Sequence, residues 1–199
     1  MEKVIIYLIW VNIFGAVLDG VTAAKRRRMS CAWLSVLLGI IAAAGGAPGM
    51  IIAFALCDRT ATKANMMLRV FTVCVCIVEL AVARTLKLAP PGEQGRWTFA
   101  FWRTFTEHRW FMYYLVAVSV ITFVMFGFDK YRAVKGGFRI PIAALLGMAF
   151  AGGSVGALLG MVVFRHKIRK NYFYVGVPMI LVMQVVLMMC AVNSIWLNG

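Results

Sequence analysis

The chain has 199 residues, of which 63% are hydrophobic and only 14% charged, and its mean hydropathy is +0.87. Soluble domains keep their apolar share near one half, so a water-soluble fold is excluded. Twenty-one Lys and Arg against seven Asp and Glu give a net charge of +14. In a soluble chain that charge would point to nucleic acid. Here it is confined to short runs between long apolar stretches, as on a polytopic protein facing anionic headgroups, and no nucleic-acid partner is expected.

Six stretches meet the requirement of about 20 largely apolar residues for crossing a bilayer. They are 4–24, 29–57, 64–83, 110–128, 140–164 and 171–199. The first has the apolar core of a signal peptide, but Lys25, Arg26, Arg27 and Arg28 follow it directly. A basic block there marks an anchored helix end, and no cleavage is expected. The fold class is therefore all-α, with six transmembrane helices. Between the third and fourth stretches, Pro90 and Pro91 end a helix, after which Trp97, Phe99, Phe101, Trp102 and Phe105 alternate with Arg96, Arg103 and Arg109. Aromatics mixed with arginines suit the headgroup layer, so 84–109 reads as an amphipathic linker lying in the interface.

The chain repeats itself. Asp129, Ala133, Lys135, Gly147, the pair Gly152 and Gly153, Gly156 and Lys170 follow the order of Asp19, Ala23, Lys25, Gly39, Gly45 and Gly46, Gly49 and Lys63 at nearly the same spacing. A duplicated unit follows: a first three-helix repeat over 1–83, the linker, and a second over 110–199. Three crossings in each repeat make the two repeats inverted. Both termini then lie outside a bacterial cytoplasmic membrane, with the Lys25–Arg28 and Arg165–Lys170 runs inside.

Cys31, Cys57, Cys74, Cys76 and Cys190 lie in or beside apolar stretches and read as small packing residues rather than a disulfide framework or metal site. Gly152, Gly156 and Gly160 recur every four residues, as do Gly45, Gly49 and Ala53. That spacing makes a smooth helix face for close packing, first of all against the matching face of the other repeat. The alternative is a break at the glycine pair that turns a re-entrant hairpin, with Pro48 as the weak point in the first copy. Packing is the preferred reading, because each limb of a hairpin would be only about ten residues, too short to cross.

Asn12, Glu79, Ser119 and Gln184 are polar positions inside the apolar stretches. Glu79 is a functional candidate by default, but it stands so close to Arg84 and a helix end that snorkelling or a local ion pair is the preferred reading. Asp129 and Lys130, with Arg139, read as a loop ion pair. Arg165, His166, Lys167, Arg169 and Lys170 directly follow an apolar helix and serve either as a topology signal or as a site for an anionic headgroup or solute. No cofactor or metal spacing is present, and an enzyme is not expected.

The second repeat resembles a known family. Asp129 and Lys130 follow an apolar helix, then come Arg139, Ile140 and Pro141, a glycine-rich helix with a GG pair, and Phe164, Arg165, His166 and Lys167. These motifs are similar to those of the DUF1294 family of small bacterial membrane proteins. Over 110–190 only Ile142, where the family has glutamate, and Ser119, where asparagine is usual, stand out as departures. The first repeat is a degenerate copy, with Asp58 and Arg59 where the basic motif belongs. The resemblance implies a fold and a location rather than an activity. Duplicated membrane units make a small transporter or channel the leading expectation. A non-transport accessory protein holding anionic lipid, a second copy or a partner subunit is the other.

Overall fold

The computed structural model describes residues 2–28, 32–57, 65–88, 109–138 and 140–198. Most of the expected interfacial linker lies outside the described residues, as do Cys31 and Arg139. The described residues are helical throughout, apart from short turns. Six stretches are long and apolar enough to cross a membrane: Glu2–Ala23, Trp33–Leu56, Met66–Thr85, Arg109–Val134, Ile142–Val163 and Asn171–Val192. Helix is what such sequences must form in lipid, where no water is present to take up a free N–H or C=O. Their outward faces carry large apolar side chains, with Trp10 67% and Val21 71% exposed. Packing is organised in two compact units, Met1–Leu80 and Ala81–Gly199.

In the first unit, α1 is Glu2–Arg28, α2 is Ala32–Ile41, α3 is Ala47–Leu56 and α4, Met66–Leu88, begins. Between α2 and α3 the backbone leaves the helical region at Gly45, with φ +101°. A left-handed residue ends a helix, and only glycine adopts that conformation without steric cost. A new helix then starts at Ala47 with Pro48 in its first turn, where the missing N–H leaves no bond unmade.

The contacts show which way the chain goes next. A Cβ on Gly45 would meet Leu8, one on Gly49 the backbone of Asn12, and one on Gly20 of α1 the Sγ of Cys57. Numbers on α1 and α3 rise together, so the two helices run parallel. Because α2 starts where α1 ends, residues 32–57 form a hairpin with both ends near the end of α1 and its tip level with Leu8. A core of Leu34, Leu38, Ala42, Ala47, Met50, Phe54, Leu68 and Cys76 fills the space between hairpin and α4.

The second unit contains α5 (Arg109–Val134), α6 (Ile142–Met148), α7 (Ser154–Val163), the single turn α8 (Asn171–Tyr174) and α9 (Gly176–Asn198). Gly152 has φ +117° between α6 and α7. A Cβ there would meet Leu115, one on Gly156 the backbone of Ser119, and one on Gly160 the Cβ of Phe126. Again the numbers rise together, so α7 runs parallel to α5 and the chain has reversed at Gly152.

Two expectations are corrected. Gly45 and Gly152 do not continue a smooth stripe, because they sit at the turn itself. Gly49, Gly156 and Gly160 do pack closely, but against the first helix of their own unit rather than the glycines of the other. The ten-residue length of α3 and of α7 is no obstacle, since a limb that turns back need not cross.

Replacing Gly156 with Leu will destabilise the protein by at least the ~1–3 kcal/mol typical of overpacking, because its Cβ would overlap the Ser119 backbone. Gly147→Ala, where an added Cβ meets nothing within 4 Å, is the neutral control. Thermal melting in detergent compares them, and equal melting of both variants with the parent would contradict the packing described.

Candidate functional site

A hairpin that turns inside an apolar layer leaves backbone groups without helical partners at its tip, and their loss is costly where water is scarce. In the first unit Asn12 supplies the partners. Its Nδ2 donates to the Gly45 carbonyl at 2.8 Å, and its Oδ1 accepts from the Gly49 N–H at 2.7 Å. One amide thus joins the end of one limb to the start of the next. Tyr7 adds a hydrogen bond from its hydroxyl to the Ala44 carbonyl at 3.0 Å.

In the second unit Tyr114 donates to the Ala151 carbonyl at 2.8 Å, and Ser119 to that of Gly152 at 3.5 Å. Both pairs stand 107 positions after their counterparts, Tyr7 with Ala44 and Asn12 with Gly45. The serine bond is long, and α9 makes up for it. Gln184 Nε2 donates to the carbonyls of Ala149 at 2.7 Å and Phe150 at 3.1 Å, while its Oε1 accepts from the Ser154 hydroxyl. Beyond this tip lies a cavity of about 600 Å³, bounded by α5, the tip and α9 and lined by Phe111, Leu115, Ser119, Val155, Gln184 and Met188 among others.

The base of the second hairpin is held by Asp129, which is fully buried. Its Oδ1 accepts from the Ile140 N–H at 3.0 Å, where the first limb begins. Its Oδ2 meets His166 Nε2 at 2.7 Å and Lys167 Nζ at 2.8 Å, where the second limb has ended. One carboxylate therefore clasps both ends. The clasp depends on a strained turn, in which Arg165 has φ +44° and Lys167 φ +63°. After α7, His166 N–H bonds to the Met161 carbonyl and Arg165 N–H to that of Val162, a helix cap with arginine in the position glycine usually takes. Each left-handed non-glycine residue costs about 1–2 kcal/mol. Lys167 also lies over the Phe173 ring, 4.8 Å from its centre, which adds a cation–π contact.

This corrects the loop ion pair expected between Asp129 and its neighbours: the partners of Asp129 stand 37 and 38 positions later, because the hairpin brings its far end back. It also divides the basic run, since His166 and Lys167 turn inward while Arg165, Arg169 and Lys170 are exposed. An offset of 107 places Thr22 level with Asp129, and Thr22 donates to the Leu18 carbonyl at 2.6 Å, while the buried Asp19 lies one turn earlier. Tyr7 and Tyr114 were not singled out from the sequence. Their equal spacing from Ala44 and Ala151 was the signal available.

Apolar helices, an apolar exterior and polar groups gathered at helix breaks and ends define a multi-pass membrane protein. Residues 119–173 match the family described as "Protein of unknown function (DUF1294)", a segment that includes the second hairpin, Asp129 and both of its basic partners. The chain is also 38% identical over 74 residues to "Uncharacterized protein YsdA" of Bacillus subtilis (strain 168), covering 37% of this chain and 83% of that one. The protein belongs to the DUF1294 family. No solved structure matches it.

Removing one member of a buried ion pair strands the other, at a typical cost of about 3–5 kcal/mol. Asp129→Ala is therefore expected to melt far below the parent, and Lys167→Met to lose less because His166 and the Ile140 N–H still compensate the carboxylate. In a double-mutant cycle the pair should couple by at least about 0.5 kcal/mol. Strict additivity of the two substitutions would mean that the clasp does not hold the hairpin.

Proposed function

We propose that the protein is a small transporter or channel of the bacterial inner membrane, built from two duplicated units, and not an enzyme. The observation that carries this reading is the hairpin in each unit, whose non-helical turn lies inside an apolar stretch and is held by side chains. Irregular backbone at membrane depth is tolerated where it is buried in protein or lines a water-filled path, and discontinuous helices are a recurring device at transport sites. The recurrence of the tyrosine and tip contacts at an offset of 107 supports duplication.

The hairpins also change the topology we favour. A unit whose middle stretch turns back crosses the bilayer twice, a topology that puts the linker outside with both termini. Fifteen of the 21 Lys and Arg then fall on the cytoplasmic side, a stronger bias than inverted repeats would give and the one the positive-inside rule favours. Arg165, Arg169 and Lys170, exposed beside the clasp, are placed to meet anionic headgroups or to attract an anionic solute. A second copy or partner subunit is compatible with the same arrangement.

Purified protein in liposomes is expected to release or accumulate small ions and polar solutes above empty vesicles, and Asn12→Leu, which removes both tip bonds of the first hairpin, to reduce that flux at least tenfold. Absence of flux, with stoichiometric recovery of another membrane protein or of anionic lipid, would instead establish the accessory reading. Topology is tested separately. A single cysteine at Gln94, in a variant stripped of native cysteines, should react with an impermeant reagent in intact cells. Protection until the membrane is opened would restore inverted repeats.

A further inference from the structure

Glu79 lies 13 positions into α4 and six before Thr85, where the apolar stretch ends. At 1.5 Å per residue that is about 20 Å from the start of α4, the depth of the first hairpin tip. The backbone amide of Gly45, the left-handed residue of that tip, approaches the carboxylate. Its Oε1 is wholly buried and has no donor among the described residues. The side chain is thus half satisfied: a backbone donor suits its charge, and the other oxygen has nothing to accept from.

The titratable groups around it are few. Cys76 faces it from one turn earlier on α4. Tyr7, on α1, stands at the same depth with its hydroxyl committed to the Ala44 carbonyl. Asp19 adjoins Gly20, level with Cys57, and Arg69 lies over the Phe54 ring, so both belong to the hairpin's base. Arg84, five positions on, falls on a different face of α4. Among the described residues no group of three His, Cys, Asp or Glu is placed to hold a metal ion. One carboxylate beside an N–H donor cannot supply the several oxygens that a hard metal cation requires. A proton needs only one.

We propose that Glu79 is a proton-binding site, and that, on the transport reading above, the proton is the coupled ion. The free oxygen takes a proton from water when the tip is open to it. The carboxyl is then neutral and tolerated in the membrane, and it returns the proton when it is exposed to the other side. The contact with Gly45 links that cycle to the position of the hairpin, because the amide prefers the charged form and releases the neutral one.

The test begins without any transported solute. Dicyclohexylcarbodiimide enters membranes and reacts with protonated carboxyl groups, so mass spectrometry of the intact purified protein in nanodiscs should find it on Glu79. Labelling should fall about tenfold for each pH unit above the carboxyl's own titration point, and vanish in Glu79→Gln. Lack of labelling in folded parent protein at any pH, or labelling unaffected by pH, would overturn the proposal. In liposomes, flux by the parent should vary with pH, flux by Glu79→Gln should not, and Glu79→Asp should restore the dependence. A pH profile unchanged by Glu79→Gln would also overturn it. pH-dependent labelling in a protein that moves nothing would uphold the proton site and overturn only the transport reading.

Discussion

Everything distinctive in this chain follows from one constraint: a helix broken within an apolar layer exposes carbonyl and amide groups that no water is there to satisfy. A continuous helix avoids the problem, and α1, α4, α5 and α9 are continuous. The two stretches that turn back at Gly45 and Gly152 meet it with side chains from neighbouring helices. Asn12 is suited to the task because an amide both donates and accepts, so it can serve a carbonyl at the turn and an amide in the first turn of the next limb. The close fit of Gly49 on Asn12 and of Gly156 on Ser119 is part of the same solution. A side chain at either glycine would hold the limb too far away for those bonds to form.

At the other end of the second hairpin the difficulty is charge. A buried carboxylate is unfavourable alone, and Asp129 is compensated by a backbone amide, a histidine and a lysine at once. Such pairs rarely add much net stability over an apolar substitute, but they are specific, because a wrongly placed partner leaves an uncompensated ion. Two left-handed residues at Arg165 and Lys167 are tolerated here for that reason. They turn the chain so that His166 and Lys167 face inward where a straight continuation of α7 would have carried them away.

The apolar stretches, their helical character and the family were legible in the sequence, since all depend on composition and short motifs. The direction of the glycine-rich limbs was not. Gly152, Gly156 and Gly160 at intervals of four fit a packing stripe as well as a turn followed by a parallel limb, and periodicity cannot separate the two. The left-handed φ at Gly152 decides between them, and it is a property of three-dimensional packing. The partners of Asp129 were hidden for the same reason: Lys130 is adjacent in the chain, but only the returning hairpin brings Lys167 close. Ser119 stood out as a departure from the usual asparagine, and the structure gives that departure a physical meaning, because the weak serine bond coincides with the contacts made by Gln184.

That substitution divides the mechanics of the two units. In the first, the tip is bonded to α1 through Asn12 and Tyr7, so the limb that packs on α1 is also tied to it at the turn. In the second, Tyr114 still bonds the turn to α5, but the polar contacts that Asn12 makes in the first unit are largely replaced by those of Gln184 on α9. The second tip is therefore anchored to two helices, α5 and α9, and a sliding of either would pull on it, whereas the first tip would travel with the helix that precedes it.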